Sequence, residues 1–404
     1  MPESPVRRRA EHGLDWFTGL AAAMQTGFGA FVPLYLASAA WGQAGIGLVL
    51  SAQTVALMAF QVPGGALVDA SHRRRCLLTG AIGAIGLAAA LLAVLPWPVP
   101  VTLALIVQAA AAAVLTPSIA ALSLALVGKP ALGERLGRNA RFASIGSALA
   151  AGAMGGGALL LGQRAVFILA ALLAIPAIWA LRHSAPRPRH GEQDVVARPP
   201  KAQDSPLALL RDRRVLAFAA CVAMFNIASA AILAVAAPEL TRISGARSGL
   251  VFAVFIIVPQ GVVALLSPWV GRLAGRIGRK PLLLAGWASL PVRAALFALL
   301  IGHPLALVPV QLLEGVAAAT FGVLVPLVAA DLTHNTGRYN LSLGLFGLCG
   351  AGGAALSTTL AGAIAELWGR TAAFGSLTAL GLAATLLLVA MPETRDQAAG
   401  RSAG

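Results

Sequence analysis

The sequence predicts an all-α integral membrane fold, with twelve transmembrane helices arranged as two six-helix, pseudo-symmetric halves. Three observations predict it. Of 404 residues, 58% are hydrophobic and 11% charged, and mean hydropathy is +0.82, which is more apolar surface than one water-soluble core of ordinary proportions hides. Twelve mainly apolar runs of about 20 residues, enough to cross a hydrocarbon layer of about 30 Å, stand between Gly, Pro or charged residues. The six runs of the second half start 199 to 206 residues after their counterparts in the first.

The first run, 14–38, follows Arg7, Arg8 and Arg9 and carries a small-residue "ASA" at 37–39, which imitates a secretory signal. It is much longer than a signal core of about 7 to 15 residues and more spans follow, so a retained helix is expected. The second run, 43–68, ends in the charged stretch "GALVDASHRRR" (65–75), and runs 76–95, 101–127, 140–162 and 165–181 complete the first half. The segment 183–212 is rich in Pro and charge and poor in apolar periodicity, a linker with a short surface helix expected near its end. It divides the chain into an N-terminal half (1–182), a cytoplasmic linker (183–212) and a C-terminal half (213–404). The second set of runs is 215–238, 248–270, 281–302, 305–330, 339–363 and 371–391.

Lys and Arg orient these spans, because short loops that hold them stay in the cytoplasm. With the amino terminus inside, 25 of the 30 cations fall on inner segments, including Lys129, Arg135, Arg138 and Arg141 in an expected loop between the fourth and fifth spans. Both termini are therefore expected in the cytoplasm of a bacterial-type inner membrane. The net charge of +15 and pI near 11.5 raise nucleic-acid binding, but cations set between hydrophobic runs read as topology signals instead. Cys76, Cys221 and Cys349 lie far apart without CxxC spacing, which speaks against zinc and against a disulfide framework and leaves them as buried apolar fillers. No HExxH, GxSxG or paired mid-membrane acids suggest an enzyme.

The basic knot at 65–75 has a second copy, "GRLAGRIGRK" (271–280), 206 residues on. Two six-helix halves, a basic central loop and a charged motif after the second helix of each half resemble the major facilitator superfamily, whose motif there is GxLxDxxGR[KR]. Gly65, Leu67, Asp69, Arg73 and Arg74 fit it, with His72 in place of the usual glycine. The second copy keeps Gly271, Leu273, Gly278, Arg279 and Lys280, with Gly275 where the acid would stand. Gly65 lets a neighbouring helix backbone approach, and Asp69 can accept from a helix amino terminus or pair with an arginine. The resemblance implies a gate latch that favours the outward-open state. The alternative is that the arginines only anchor the loop. The small-residue segments 146–162 and 347–362 are similar to the glycine-rich fifth helix of proton-coupled drug antiporters, without its proline, and read also as close helix packing.

The resemblance further implies a central cavity lined by the first, second, fourth and fifth helices of each half. Mid-span polar residues on those helices recur near the repeat offset: Gln25 and Thr26 with Asn226, Gln53 with Gln260, and Gln108 with Gln311. They are candidate substrate ligands, the alternative being interhelical hydrogen bonds. Glu314 is the acid that lies well inside a span, and a carboxyl removed from water takes a proton more readily. Glu314 is thus the leading proton carrier, ahead of Asp15 and Asp331, with a static ion pair to Arg293 as the rival reading. The expected function is alternating-access transport of small organic molecules, drug- or sugar-like, by proton-coupled efflux. The alternatives are proton-coupled nutrient uptake and a non-transporting membrane sensor. The expected partners are the bilayer, a small substrate and protons, with no cofactor, no metal, no nucleic acid and a monomeric state.

Overall fold

Apolar runs in a membrane satisfy their own backbone groups only as helices or closed barrels. The computed structural model describes residues 5–29, 31–71, 73–183, 211–244, 248–333 and 338–394, and every regular element among them is helical. In the first half these are α1 (Pro5–Thr26), α2 (Phe31–Ser38), α3 (Gln43–Ala70), α4 (Arg74–Val94), α5 (Pro98–Leu161), α6 (Arg164–Leu172) and α7 (Ala174–His183). In the second they are α8 (Arg213–Ser229), α9 (Ile232–Ser244), α10 (Ser248–Ile277), α11 (Lys280–Leu300), α12 (Pro304–Leu332), α13 (Tyr339–Trp368) and α14 (Arg370–Ala390).

Eleven helical stretches among the described residues are long and apolar enough to cross a membrane, with α1–α2, α6–α7 and α8–α9 each counting as one interrupted stretch. α5 counts twice. Its 64 residues would run about 96 Å as one helix, but the backbone breaks at Gly128 (φ 73, ψ 174), a conformation essentially reserved for glycine. Twelve crossings result, as the sequence predicts.

One boundary differs. The fifth span was expected to start at 140, after a basic loop, yet helix resumes directly after Gly128 with Pro130 in its first turn. The charged turns stay helical because Arg135 and Arg138 find a carboxylate on α1, at Asp15. The expectation of apolar cysteine fillers also fails at Cys76, which is exposed, while Cys221 is buried. His72 and the linker segment 184–210 lie outside the described residues.

The chain forms two compact units, Met1–Lys201 with Asn335–Gly344, and Ala202–His334 with Leu345–Gly404. The start of α13 thus groups with the first unit, where it crosses α3. The same pairing recurs inside each unit. In the first, α1 packs on α7, α3 on α5, and α4 on α5 and α6; in the second, α8 packs on α14, α10 on α12, and α11 on α12 and α14. Phe17, Met24, Ile85 and Phe167 lie at the core of the first unit, and Phe255, Phe297 and Phe374 at that of the second. Outward faces stay apolar, Leu160 being 85% and Leu305 84% exposed, as lipid requires.

Candidate functional site

The first motif copy closes on α13. Asp69, at the end of α3, accepts from the backbone N–H of Asn340 (3.1 Å) and of Leu341 (2.8 Å) and from Asn340 Nδ2 (2.7 Å). A carboxylate on the unpaired N–H groups of a helix start is stabilised by both hydrogen bonding and the helix dipole. Gly65 permits the approach: a Cβ there would overlap the Asn340 carbonyl. Gly344 does the same from the other side, against the Gln61 carbonyl. Arg73 is exposed and Arg74 half-buried at the start of α4.

The second copy makes a different contact. Gly271 is buried in α10, and Glu393, just past α14, accepts from the N–H of Arg279 and of Lys280 (2.9 Å each). The Lys280 ammonium reaches the Val389 carbonyl at 2.7 Å. Arg279 Nε lies 2.9 Å from Asp331 Oδ2, an ion pair without hydrogen-bond alignment. Asp331, a secondary proton candidate in the sequence, is therefore engaged with this loop.

A buried network that the sequence reading missed ties α1 to the second part of α5. Asp15, 1% exposed, sits 2.5 Å from both Arg135 NH2 and Arg138 NH2. Arg135 also donates to Asn139 Oδ1, and Asn139 donates to Ser123 across the Gly128 break. The sequence signal was there: acids at 11 and 15 on one helix, cations at 135 and 138 on another, each on one helical face. Counting the cations as loop anchors hid it. At the far end of the second unit, Glu239 holds Arg242 and Arg370.

The polar residues expected to line a cavity engage partners within each unit. Gln53 Nε2 donates to Gln108 Oε1 at 2.8 Å, a pair within the first unit. Thr26 and Asn226 bond to carbonyls of their own helices, Ala22 and Val222. Gln25 and Gln260 are half-buried.

Glu314 is the centre of the other cluster. Its Oε2 lies 2.5 Å from Arg293 NH1 and accepts from Ser229 Oγ at 3.4 Å. Arg293 NH2 donates to Gln311 Oε1 (3.3 Å), whose amide donates to the Phe255 carbonyl (3.4 Å). The guanidinium stands 5.6 Å over the Phe297 ring. Burial is unequal: the Arg293 side chain is 5% exposed and that of Glu314 29%. Ser229 is the last residue of α8, and the peptide after the break, Ala231 N–H, donates to Ser357 Oγ of α13 at 3.1 Å. The ion pair thus adjoins an interrupted helix, a place where transporters put ion and substrate sites. α1 is interrupted at the equivalent place, between Thr26 and Phe31.

The sequence profile of the Major Facilitator Superfamily matches residues 16–235 and again 216–403. The chain belongs to the major facilitator superfamily. It is therefore a multi-pass membrane protein of a transporter family. The uncharacterized MFS-type transporters MT2531 and Rv2456c, from two strains of Mycobacterium tuberculosis, are each 35% identical over 398 residues, covering 97% of this chain and 95% of the relative. Among solved structures, the fucose transporter FucP in its outward conformation superposes with a TM-score of 0.71 at 13% identity, over 94% of this chain and 97% of its own. The proton:xylose symporter XylE gives 0.71 at 13% over 96% of each chain. The human organic anion transporter MFSD10 gives 0.67 at 17% over 96% of this chain and 100% of its own. At these identities the likeness carries the superfamily fold.

Proposed function

We propose that the chain is a proton-coupled secondary transporter of small organic molecules, working by alternating access, with Glu314 as the group that takes and releases the proton. The observation that carries this reading is the Arg293–Glu314 pair beside the α8–α9 break. Ionisable residues inside spans are costly and mark ion and substrate paths. This carboxylate is the more open partner of the two, so a proton can reach it while the guanidinium stays sealed. Ser229, on the near side of the break, bonds to Glu314, so a change of charge there is felt at the break.

The Asp69 contact with the start of α13 suits a gate that forms and breaks during the cycle, and the cation distribution suits cytoplasmic termini. Export in exchange for protons is the direction the glycine-rich fifth span suggested. In that span Gly146 packs on the Gly19 backbone, whereas a Cβ at Gly152, Gly155 or Gly156 would meet nothing within 4 Å. Export by exchange and uptake by symport differ at Glu314. In exchange, proton and substrate occupy the site in turn; in symport they occupy it together.

The test uses purified chain in proteoliposomes, with the compound that most raises its thermal stability in a small-molecule panel. In the Glu314→Gln variant, uphill transport driven by a pH gradient is expected to vanish, while exchange of labelled compound across an equilibrated membrane persists. Gradient-driven transport at the wild-type rate in that variant removes Glu314 from the mechanism.

A further inference from the structure

We infer that the site at Arg293 takes an organic monoanion, a carboxylate on an apolar body, and that it binds only together with a proton on Glu314. This rests on the transport reading above. In the structure Glu314 Oε2 answers Arg293 NH1. When Glu314 takes a proton from water it becomes neutral, and Arg293 is left a buried cation without a counter-charge. The substrate carboxylate then takes the place of Oε2 on the guanidinium. The net charge of the site is zero before and after, because one anion replaces another and the proton stays on Glu314.

Four observations carry the choice of an anion. First, among the described residues Glu314 is the acid that pairs with Arg293. α12 packs on α9, α10 and α11. From α11 the charged group facing Glu314 is Arg293 itself, and α8 brings Ser229. The cations of α10, Arg272 and Arg276, sit 17 and 21 residues past Phe255, about 25 Å or more along the helix. On α9, Glu239 is held by Arg242 and Arg370. Second, Arg293 has donor capacity in hand: its Nε is buried and has no acceptor among the described residues, and Gln311 is a neutral acceptor at 3.3 Å.

Third, an amine in place of the proton would put two cations on one carboxylate and leave the buried site with a net positive charge, which a low-dielectric surrounding penalises. A neutral molecule gives Glu314 no reason to leave Arg293. Fourth, the surroundings on the same helices are apolar and aromatic. Phe225 stacks on Phe321 at 4.5 Å and lies 4.5 Å from the ring of Trp287, all between centroids. Phe225 precedes Ser229 by one turn of α8, and Phe321 follows Glu314 by two turns of α12, so each shares a face with the polar residue.

Because the two ligands complete one charge balance, each raises the affinity of the other. Thermal unfolding of the purified full chain is measured with benzoate, hexanoate, benzylamine, benzyl alcohol and sodium chloride, at acid and at neutral pH. Benzoate and hexanoate are expected to stabilise more at acid pH than at neutral pH, because each binds together with a proton. The Glu314→Gln variant, neutral at every pH, is expected to bind benzoate equally at both. Arg293→Gln is expected to lose the benzoate effect; if that variant does not fold, the flattened pH profile of Glu314→Gln decides alone. The inference falls if no carboxylate stabilises the protein, if benzylamine or chloride matches benzoate, or if the variant at 314 keeps the wild-type pH dependence. A benzylamine response with gradient-driven transport lost in Glu314→Gln would overturn the anion while leaving the proton carrier in place.

Discussion

Asp15 and Arg135 show how far a single residue's setting departs from its place in the sequence. Both are charged, both lie near the ends of spans, and both are almost wholly buried, at 1% and 3% exposure. Removing one member of such a pair leaves the other as an uncompensated charge, a loss of about 3 to 5 kcal/mol. Arg135→Met is therefore expected to lower the unfolding midpoint sharply in detergent, tempered by the second bond of Asp15 to Arg138. The double change Arg135→Met with Asp15→Leu is expected to recover part of the loss. An undiminished midpoint in the single variant would mean that the network contributes little. The Gln53–Gln108 bond teaches a related lesson. Two amides that the sequence offered as substrate ligands meet one another, because an unpaired amide in a span is costly and the nearest partner lies on the adjacent helix.

At the scale of elements, the interruptions are the informative features. α5 turns on Gly128, whose φ of 73 and ψ of 174 suit glycine alone. Gly128→Ala is expected to cost about 1 to 3 kcal/mol and to disturb the adjoining Asn139–Ser123 bond, read as a lower midpoint and faster cysteine labelling near residue 123. An unchanged midpoint would show that the break relaxes freely. The α8–α9 break has a different origin: it is held by a side chain, since Ala231 N–H donates to Ser357 Oγ. Ser357→Ala strands that buried N–H, at about 1 to 3 kcal/mol. A transport defect beyond the loss of stability is expected, because Glu314 contacts the residue on the near side of the same break.

For the whole molecule, the charge asymmetry makes a topological prediction. Single cysteines at 73 and at 276 should react with a membrane-impermeant thiol reagent only from the cytoplasmic side, and one at 370 only from outside. The reverse pattern would overturn the orientation. The twelve crossings and the twofold repeat were legible, since span length and apolar composition are local quantities that lipid thickness enforces. The boundary near 140 was not, because a charged helix turn and a charged loop look alike until Asp15 is seen to neutralise it. The link between Arg293 and Glu314 was legible as one of two readings, since the residues sit on consecutive spans. Glu393 escaped notice: no local pattern announces that it accepts from the N–H of Arg279, 114 residues earlier.

The sequence by itself determined the membrane class, the number of crossings, the internal repeat and the family motif. Those follow from hydropathy, length and short-range spacing, each carried by contiguous residues. The tertiary structure alone decided which charges meet: Asp69 with the start of α13, Asp15 with Arg135 and Arg138, Glu393 with the second loop, and Glu314 with Arg293 beside a broken helix. The physical reason is that a buried charge is defined by its partner, and helix packing brings that partner from as far as 272 residues away, as between Asp69 and Leu341.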